Sequence, residues 1–206
     1  MLKVWGRVNS SNVMKVLWCL DELGIEFERI DAGMTFGVVN EPFYRALNPN
    51  GRVPTLEDGN LVLWESNVIV RYLSAKYGLG RLCPADPAAR AVADQWMDWE
   101  QTTASADVTY VFWGQVRGRE ENRDPETVAA CADRLGTKFA ILDGRLAGRD
   151  FIMGDHLTMA DIPVGCVVWR WANLDLDRPS LPNLEAWHRR LQERPGFRKW
   201  VAQPLS

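Results

Sequence analysis

Two short groups of polar residues have the types and spacing for chemistry. Ser10, Ser11 and Asn12 come together just ahead of an apolar helical pattern, so their hydroxyl and amide groups can donate hydrogen bonds to an anion at the start of a helix. No nucleophile with a base is evident, because the two histidines, His156 and His188, have no serine or cysteine partner in the sequence. A Ser-His-Asp hydrolase is therefore not expected.

The second group lies in the segment NPNGRVPTLEDGNLVLWES, residues 48–66. Pro54 comes directly before a strand pattern, although proline has no N–H to give to a sheet ladder. Glu65 and Ser66 follow the next strand pattern and stand at the start of a helix. Taken alone, these residues indicate a turn proline and a serine that serves as a helix N-cap.

Composition restricts the class of protein. The chain has 206 residues, of which 47% are hydrophobic and 25% charged, as in ordinary globular proteins. Its formal charge of −3 argues against a nucleic-acid-binding surface. No apolar run approaches the roughly 18 residues of a membrane helix, and the N-terminal segment becomes polar too early for a secretory signal. We therefore expect a cytoplasmic protein that binds neither nucleic acid nor membranes.

The four cysteines, Cys19, Cys83, Cys131 and Cys166, stand far apart in the sequence. They form no Cys-x-x-Cys pair and no Cys/His cluster with the spacing of metal ligands, so no metal site is expected. Cys19 and Cys166 lie within apolar helical patterns and are predicted to be small core residues.

The elements that position the polar groups alternate between strand and helix over the first eighty residues. Strands are predicted at LKVWGR, FERIDA, VPTLED and LVLWE, and helices at SSNVMKVLWCLDELG, EPFYRALN and SNVIVRYLSAKYG. Ser11 or Asn12 is the expected N-cap of the first helix, and Gly24 its terminator. The order βαβαββα resembles a thioredoxin-like sandwich, which we assign to residues 1–80.

From residue 88 onward the pattern is helical, and we assign residues 88–206 to an all-helical domain. Helices are predicted over 88–116 as one or two segments, over 125–148, over 158–174, and over 181–201 with an interruption at Pro195-Gly196. Thr158 and Asp161 have the spacing of a helix cap, in which the threonine hydroxyl accepts from a free backbone N–H and the carboxylate reaches back. We expect Asp161 to be structural.

Four segments, NPNGRVPTL, ESNVIVRYL, FIMGDHLTMADI and RPGFRKW, occur in the order and at the separations typical of cytosolic glutathione transferases. The chain resembles that family over essentially its whole length, and its motifs are closest to bacterial theta-, zeta- and Nu-like classes. The resemblance implies a thioredoxin-like domain followed by a helical domain, glutathione as co-substrate, no metal, and a homodimer.

The resemblance also implies how glutathione binds. A cis peptide bond at Val53-Pro54 would turn the Val53 backbone toward the cysteinyl part of glutathione, which pairs with it as an added strand would. Glu65 would meet the ammonium of the γ-glutamyl end, and Ser66 with the helix N-terminus its carboxylate.

The glycine carboxylate of glutathione needs a cation. Many relatives have a His or Lys in the segment before the short second helix, but this chain has Val38-Val39-Asn40 there. Arg52 is the expected substitute and Asn40 a weaker one. Arg52 is equally consistent with a solvated loop charge.

The thiol of glutathione must be ionised before it attacks an electrophile. A free thiol has a pKa near 8.5, and a hydrogen bond to a charged group is worth about 1.5–3 kcal/mol, so one hydroxyl would lower that pKa by about one to two units. Ser10 matches the serine of zeta-like enzymes, Ser11 that of theta- and delta-like enzymes, and Asn12 the asparagine of Nu-like proteins. The sequence leaves all three open as donors or as helix caps, and slightly favours Ser11.

The second substrate is expected between the domains, against the long helix. The candidates are Trp96, Trp99, Thr103, Tyr110 and Trp113. The first three share one helix face, which core packing explains equally well.

The leading expectation is conjugation of glutathione to a small apolar electrophile, as in detoxification. Two alternatives stay open: a glutathione-dependent disulfide reductase of the Nu-like kind, which Ser10 with Asn12 suggests, and a non-catalytic glutathione-binding protein of the same fold.

Overall fold

A computed structural model describes all residues of the chain, 1–206. Its first part contains β1 (Leu2–Trp5), α1 (Ser11–Leu23), β2 (Phe27–Ile30), α2 (Pro42–Leu47), β3 (Thr55–Asp58), β4 (Leu61–Trp64) and α3 (Ser66–Tyr77). The strand order is β2-β1-β3-β4, with β1 parallel to β2 and the other neighbours antiparallel. The predicted βαβαββα order is confirmed. β3 begins after Pro54, because proline cannot donate to the ladder.

The second part is helical and contains α4 (Pro87–Trp99), α5 (Ser105–Gln115), α6 (Pro125–Leu146), α7 (Asp161–Ala172), α8 (Pro182–Gln192) and α9 (Pro195–Trp200). A π-helical turn, Glu100–Ala104, joins α4 to α5, so the predicted long segment is two helices in continuation. Pro195 opens α9 instead of breaking a helix, because the first helical position needs no N–H. None of the helices has both the length and the apolar character that a membrane span requires.

The start of α1 differs from the prediction. Ser10 is the N-cap, with the extended backbone that this position requires (φ −95°, ψ 121°), whereas Ser11 and Asn12 were expected there and are already helical. The Ser10 side chain makes no capping hydrogen bond. Gly24 ends the helix in the left-handed conformation (φ 68°), as predicted, and its N–H donates to backbone carbonyls of the last turn.

Both parts of the chain share one hydrophobic core, and α1 lies at its centre. The core contains 44 buried residues from both parts. Trp18 on α1 is fully buried and meets Phe197 of α9 edge-on at 5.0 Å between ring centres. A Cβ at Gly165 of α7 would lie 3.0 Å from the Trp18 ring, so glycine is needed for α7 to approach α1 this closely. The position of α1 therefore depends on both parts.

The cap at the start of α7 is confirmed in part. Asp161 is fully buried, and its Oδ2 accepts from the backbone N–H of Thr158 at 2.9 Å, as predicted. The Thr158 hydroxyl donates to the same carboxylate instead of accepting from the backbone. The other oxygen, Oδ1, accepts from the Ile152 N–H and from the Trp187 indole, both at 2.9 Å. Asp161 thus joins the start of α7 to the preceding turn and to α8, a structural role.

Replacing this carboxylate should destabilise the protein more than replacing an ordinary cap. Asp161→Ala leaves four donors without an acceptor, most of them buried, and we expect it to lower the free energy of unfolding by roughly 3 kcal/mol or more. Urea denaturation followed by circular dichroism measures this.

The matched control is Asp86→Ala at the N-cap of α4. There the carboxylate accepts only from the Ala89 N–H, at 2.8 Å on the surface, so the expected loss is about 1 kcal/mol. Equal losses for the two variants would contradict the special role of Asp161.

Candidate functional site

A cleft of about 580 Å³ lies between the two parts of the chain. One wall holds the start of α1 and the loop before β3, and the opposite wall holds the second half of α5 and one residue of α7. The lining residues are Arg7, Asn9, Ser10, Ser11, Asn12, Gly33, Met34, Val39, Gly51, Arg52, Val53, Thr109, Phe112, Trp113, Arg117, Arg119 and Arg170. The cleft therefore joins the strand–helix junction to the loop that contains Arg52 and Val53.

The three candidate donors line the cleft. The hydroxyls of Ser10 and Ser11 make no hydrogen bond within the chain; Ser10 is 7% exposed and Ser11 is half-buried. Asn12 is exposed, and its Oδ1 accepts from the Ser66 hydroxyl at 3.3 Å. The starts of α1 and α3 thus meet at the cleft, and two hydroxyl groups are free to bind a ligand there.

Val53 offers an unpaired backbone edge. The Val53-Pro54 peptide bond is cis, as predicted. Neither the N–H nor the C=O of Val53 has a hydrogen-bond partner in the chain. The preceding carbonyl, of Arg52, accepts from the Tyr44 hydroxyl at 2.7 Å and from the Asn48 side-chain amide at 2.9 Å. Tyr44 and Asn48, which the sequence did not single out, therefore hold the loop that presents Val53.

The start of α3 lies beside the cleft wall. Glu65 has a φ of 70°, which is uncommon for a residue with a side chain and is often found at functional positions. The Glu65 side chain is exposed. Glu65 is the N-cap of α3 and Ser66 its first helical residue, so the expectation that Ser66 is the N-cap was wrong by one position. The N–H groups of Ser66, Asn67 and Val68 have no acceptor in the chain, as expected for a helix N-terminus. These donors and the Glu65 carboxylate can together bind a ligand that has both charges.

The two candidates for the glycine carboxylate lie in different places. Arg52 lines the cleft, is exposed and has no ion-pair partner. Asn40 lies outside the cleft lining, and its Oδ1 accepts from the Arg45 guanidinium at 2.9 Å. Of the two, Arg52 has the position for this role.

Only one of the aromatic and hydroxyl residues predicted on the long helix lines the cleft, namely Trp113. The other four predicted residues lie outside the cleft lining: Trp96, Trp99, Thr103 and Tyr110. Trp96 and Trp99 pack on each other at 5.3 Å, and Tyr110 donates to a backbone carbonyl. The π-helical turn changes the helical phase between α4 and α5, so that Thr109 and Phe112 face the cleft together with Trp113.

A buried ion pair lies behind Ser11. Lys15 Nζ is 2.8 Å from Glu100 Oε2, and the two side chains are only 4% and 2% exposed. Glu100 also accepts from the Ser105 hydroxyl. Asn67 on α3 is buried beside them, and its amide donates to the Met97 carbonyl at 2.8 Å. No sequence motif indicated this network, because its members come from segments as far apart as Lys15 and Ser105.

Arginines dominate the charge of the cleft, and no acidic residue lines it. Arg7, Arg117 and Arg170 have no carboxylate partner, and the Nε atoms of Arg7 and Arg117 are buried without an acceptor. Burial, with repulsion from Arg117 and Arg7, lowers the pKa of Arg170 to about 10. Burial also lowers the pKa values of Arg7 and Arg117. Each arginine stands alone in the sequence, so no motif indicated the cluster.

The cysteines supply no thiol to the cleft. All four are buried and unpaired. Burial raises the pKa values of Cys19 and Cys166 to about 12, so neither ionises near neutral pH. No group of three or more His, Cys, Asp or Glu side chains is placed to hold a metal ion.

Comparison with known proteins gives the family. The chain matches the family models "Glutathione S-transferase, N-terminal domain" over residues 1–75 and "Glutathione S-transferase, C-terminal domain" over residues 125–190. Glutathione S-transferase GstB of Escherichia coli K12 is 42% identical over 208 residues, covering 100% of both chains. Glutathione S-transferase 3 of Zea mays is 31% identical, covering 98% of this chain and 93% of the relative.

Among solved structures, the theta class glutathione S-transferase of Xanthomonas axonopodis pv. citri with glutathione bound is similar at a TM-score of 0.93. It is 46% identical, and the match covers 100% of this chain and 99% of that one. On these matches, together with the cis-proline loop and the cleft, the chain belongs to the glutathione S-transferase family.

Proposed function

We propose that this protein joins the thiolate of glutathione to a small electrophile in the cleft between its two parts. The observation that carries the proposal is the unpaired backbone of Val53 on the same cleft as the free hydroxyls of Ser10 and Ser11. An extended tripeptide that pairs with Val53 has its cysteinyl residue at this edge. Its sulfur then lies toward the start of α1.

The two ends of glutathione have suitable partners in this arrangement. The γ-glutamyl ammonium pairs with the Glu65 carboxylate, and the γ-glutamyl carboxylate accepts from the free N–H groups at the start of α3. It also accepts from the Ser66 hydroxyl, which then turns away from Asn12 Oδ1. The glycine carboxylate pairs with Arg52, which faces the cleft without a counter-ion.

Ser11 is the proposed donor to the thiolate. It is the first residue of α1, where the helix dipole also favours an anion, and its hydroxyl is free and partly accessible. The enzyme needs no strong base, since lowering the thiol pKa by one or two units makes the thiolate abundant near pH 7. The electrophile then lies against Phe112 and Trp113.

A disulfide reductase is the second candidate function. Asn12 is exposed on the cleft, and its side-chain N–H₂ group donates to no acceptor in the chain, so it can donate toward sulfur. Parallel assays with chlorodinitrobenzene and hydroxyethyl disulfide separate conjugation from disulfide reduction. A non-catalytic protein would show neither reaction, although glutathione would still raise its melting temperature if it binds.

We also propose a homodimer and a cytoplasmic role in detoxification, on the basis of the family. Exposed apolar side chains on adjacent elements support the dimer: Trp64 on β4, Val68 on α3 and Val92 on α4. Helices α3 and α4 are linked by ion pairs from Arg71 to Asp94 and Asp98. Exposed apolar side chains on neighbouring elements are typical of an interface between subunits, and we call these three residues the apolar surface.

Replacing the thiolate donor should raise the pKa of bound glutathione. We expect Ser11→Ala to raise the thiol pKa by about one to two units and to lower the conjugation rate near neutral pH by about tenfold or more. Ultraviolet absorbance of the thiolate in the binary complex, titrated against pH, measures the change. Ser10→Ala and Asn12→Ala are the parallel arms. If none of the three raised the thiol pKa, the mechanism would be wrong.

Removing the proposed cation should weaken glutathione binding without slowing the chemical step. Arg52→Gln should raise the KM for glutathione by roughly tenfold, with kcat changed by less than about twofold, because the contact is the same in ground and transition states. Asn40→Ala is the matched control, since Asn40 lies outside the cleft lining. The KM of this variant for glutathione should equal that of the wild type. A larger effect of Asn40→Ala than of Arg52→Gln would reverse the assignment.

Charge on the apolar surface should separate the subunits. Val68 is 42% exposed in the isolated chain, and Val68→Asp should shift the sedimentation of the protein from dimer toward monomer, because a carboxylate is costly to bury without a partner. Ile141→Asp is the control, since Ile141 is 57% exposed but lies on α6. A wild-type protein that sediments as a monomer would contradict the dimer.

A further inference from the structure

The half of the cleft that faces α5 and α7 has more positive charge than glutathione can compensate. Five arginines line the cleft, with no acidic residue among the lining side chains. In the proposed binding mode, Arg52 takes the glycine carboxylate and the start of α3 takes the γ-glutamyl carboxylate. Arg119 is paired with Glu121 at 3.7 Å. Arg7, Arg117 and Arg170 then have only the glutathione thiolate, which Ser11 binds at the start of α1, as an anion in the cleft.

These three guanidinium groups are costly to keep together. Burial removes part of their hydration and lowers the pKa values of all three, and repulsion between like charges lowers the pKa values of Arg7 and Arg170 further. The charge of the buried Glu100 acts on Arg170 and raises its pKa slightly against these effects, but the Glu100 oxygens are bound by Lys15 and Ser105, and Glu100 forms no ion pair with the arginine. The three arginines are half-buried and have no carboxylate partner on the cleft. Because charges that lose hydration are normally paired, an unpaired cluster that opens on a ligand cleft indicates an anionic ligand.

The aromatic rings place two of these charges beside the site for the electrophile. The Arg170 Cζ lies 3.9 Å from the centre of the Phe112 ring, and the Arg117 Cζ lies 5.5 Å from the same centre. Arg117 is also 5.9 Å from the Trp113 ring centre. At these distances cation–π attraction favours both guanidinium groups beside the rings, while their N–H donors stay available. The site therefore combines an apolar wall with two oriented cations.

Arg7 lies on the glutathione side of the cluster. A Cβ at Gly33 would be 3.1 Å from Arg7 Nη1 and 3.5 Å from the Val53 side chain, which places Arg7 close to the edge that pairs with the tripeptide. Arg117 and Arg170 come from the helical part, on the opposite wall. Arg7 therefore lies beside the proposed glutathione site, and Arg117 and Arg170 lie beside the proposed site of the electrophile.

We propose that the electrophile of this enzyme carries a carboxylate or a comparable anionic group, held by Arg117 and Arg170, on an apolar body that lies against Phe112 and Trp113. This inference rests on the proposed function, because it assigns the second substrate of the same reaction. Guanidinium groups suit this role, since their planar donors bind a carboxylate through two parallel hydrogen bonds.

The test compares two electrophiles that differ in charge and little else, 4-chloro-3,5-dinitrobenzoate and 4-chloro-3,5-dinitrobenzamide. In each reaction the glutathione thiolate, whose proton has gone to solvent, adds to the ring carbon that bears chlorine. The C–S bond forms, the C–Cl bond breaks, and chloride leaves with the bonding electron pair. Each kcat/KM is divided by the rate constant of the uncatalysed reaction, because the two substituents activate the ring differently.

We expect the normalised kcat/KM to favour the benzoate by at least about tenfold, the size expected of an added charge-assisted hydrogen bond. The preference should fall as ionic strength rises, since salt screens the attraction. Arg117→Gln and Arg170→Gln should each reduce the preference severalfold, and Arg117→Lys should retain more of it than Arg117→Gln. Arg189→Gln, which removes an exposed charge on α8 away from the cleft, is the matched control and should leave it unchanged.

The outcomes separate this inference from the proposed function. No conjugation of either compound would contradict the transferase itself. Conjugation of both with equal normalised kcat/KM would overturn the anion site alone. If Arg117→Gln slowed both reactions equally, or raised only the KM for glutathione, the arginines would act on the thiolate or on glutathione binding, and the inference would again be wrong.

Discussion

The cleft depends on one buried ion pair, between Lys15 of α1 and Glu100 of the π-helical turn, at 2.8 Å. A buried charge that loses its partner costs several kcal/mol, so each side chain constrains the other. The Ser105 hydroxyl completes the coordination of Glu100, and Asn67 attaches α3 to the same region. The pair therefore holds the start of α1, with its free hydroxyls, at a set position against the helical part.

This constraint matters because neither part of the chain forms the site alone. The thioredoxin-like part supplies the Val53 backbone, the start of α3 and the serine hydroxyls, all suited to a tripeptide. The helical part supplies the aromatic wall and two arginines. A reaction between two bound molecules requires their reacting atoms to be held at close distance and correct orientation. The shared core, in which Trp18 of α1 meets α7 and α9, maintains that distance.

The charge of the cleft contrasts with that of the whole chain. The protein has a formal charge of −3, yet the residues that line the cleft include five arginines and no acid. Local potential in a cleft is set by the nearby groups and the low-dielectric walls, not by net charge. An acidic protein can thus attract anionic substrates to a positive site. The sequence predicted a small apolar electrophile, and the charge of the cleft adds an anionic group to that prediction.

The cis bond before Pro54 was implied by the resemblance to glutathione transferases, since the residues alone indicate a plain turn proline. The sequence by itself determined the order of the elements, the cap at Asp161 in part, and the placement of Ser10, Ser11 and Asn12 at the strand–helix junction. These features are local, because turn residues, caps and hydrophobic period act over a few positions. Tertiary structure alone decided that Trp113 and not Trp96 or Trp99 faces the cleft, that Lys15 pairs with Glu100, and that Arg7, Arg117 and Arg170 converge. The periodicity of apolar residues shows which of them share a helix face. What that face contacts depends on packing between segments far apart in the chain. The single π-helical turn between α4 and α5 changes which residues of this segment face the cleft, and no clear signal in the sequence indicates it.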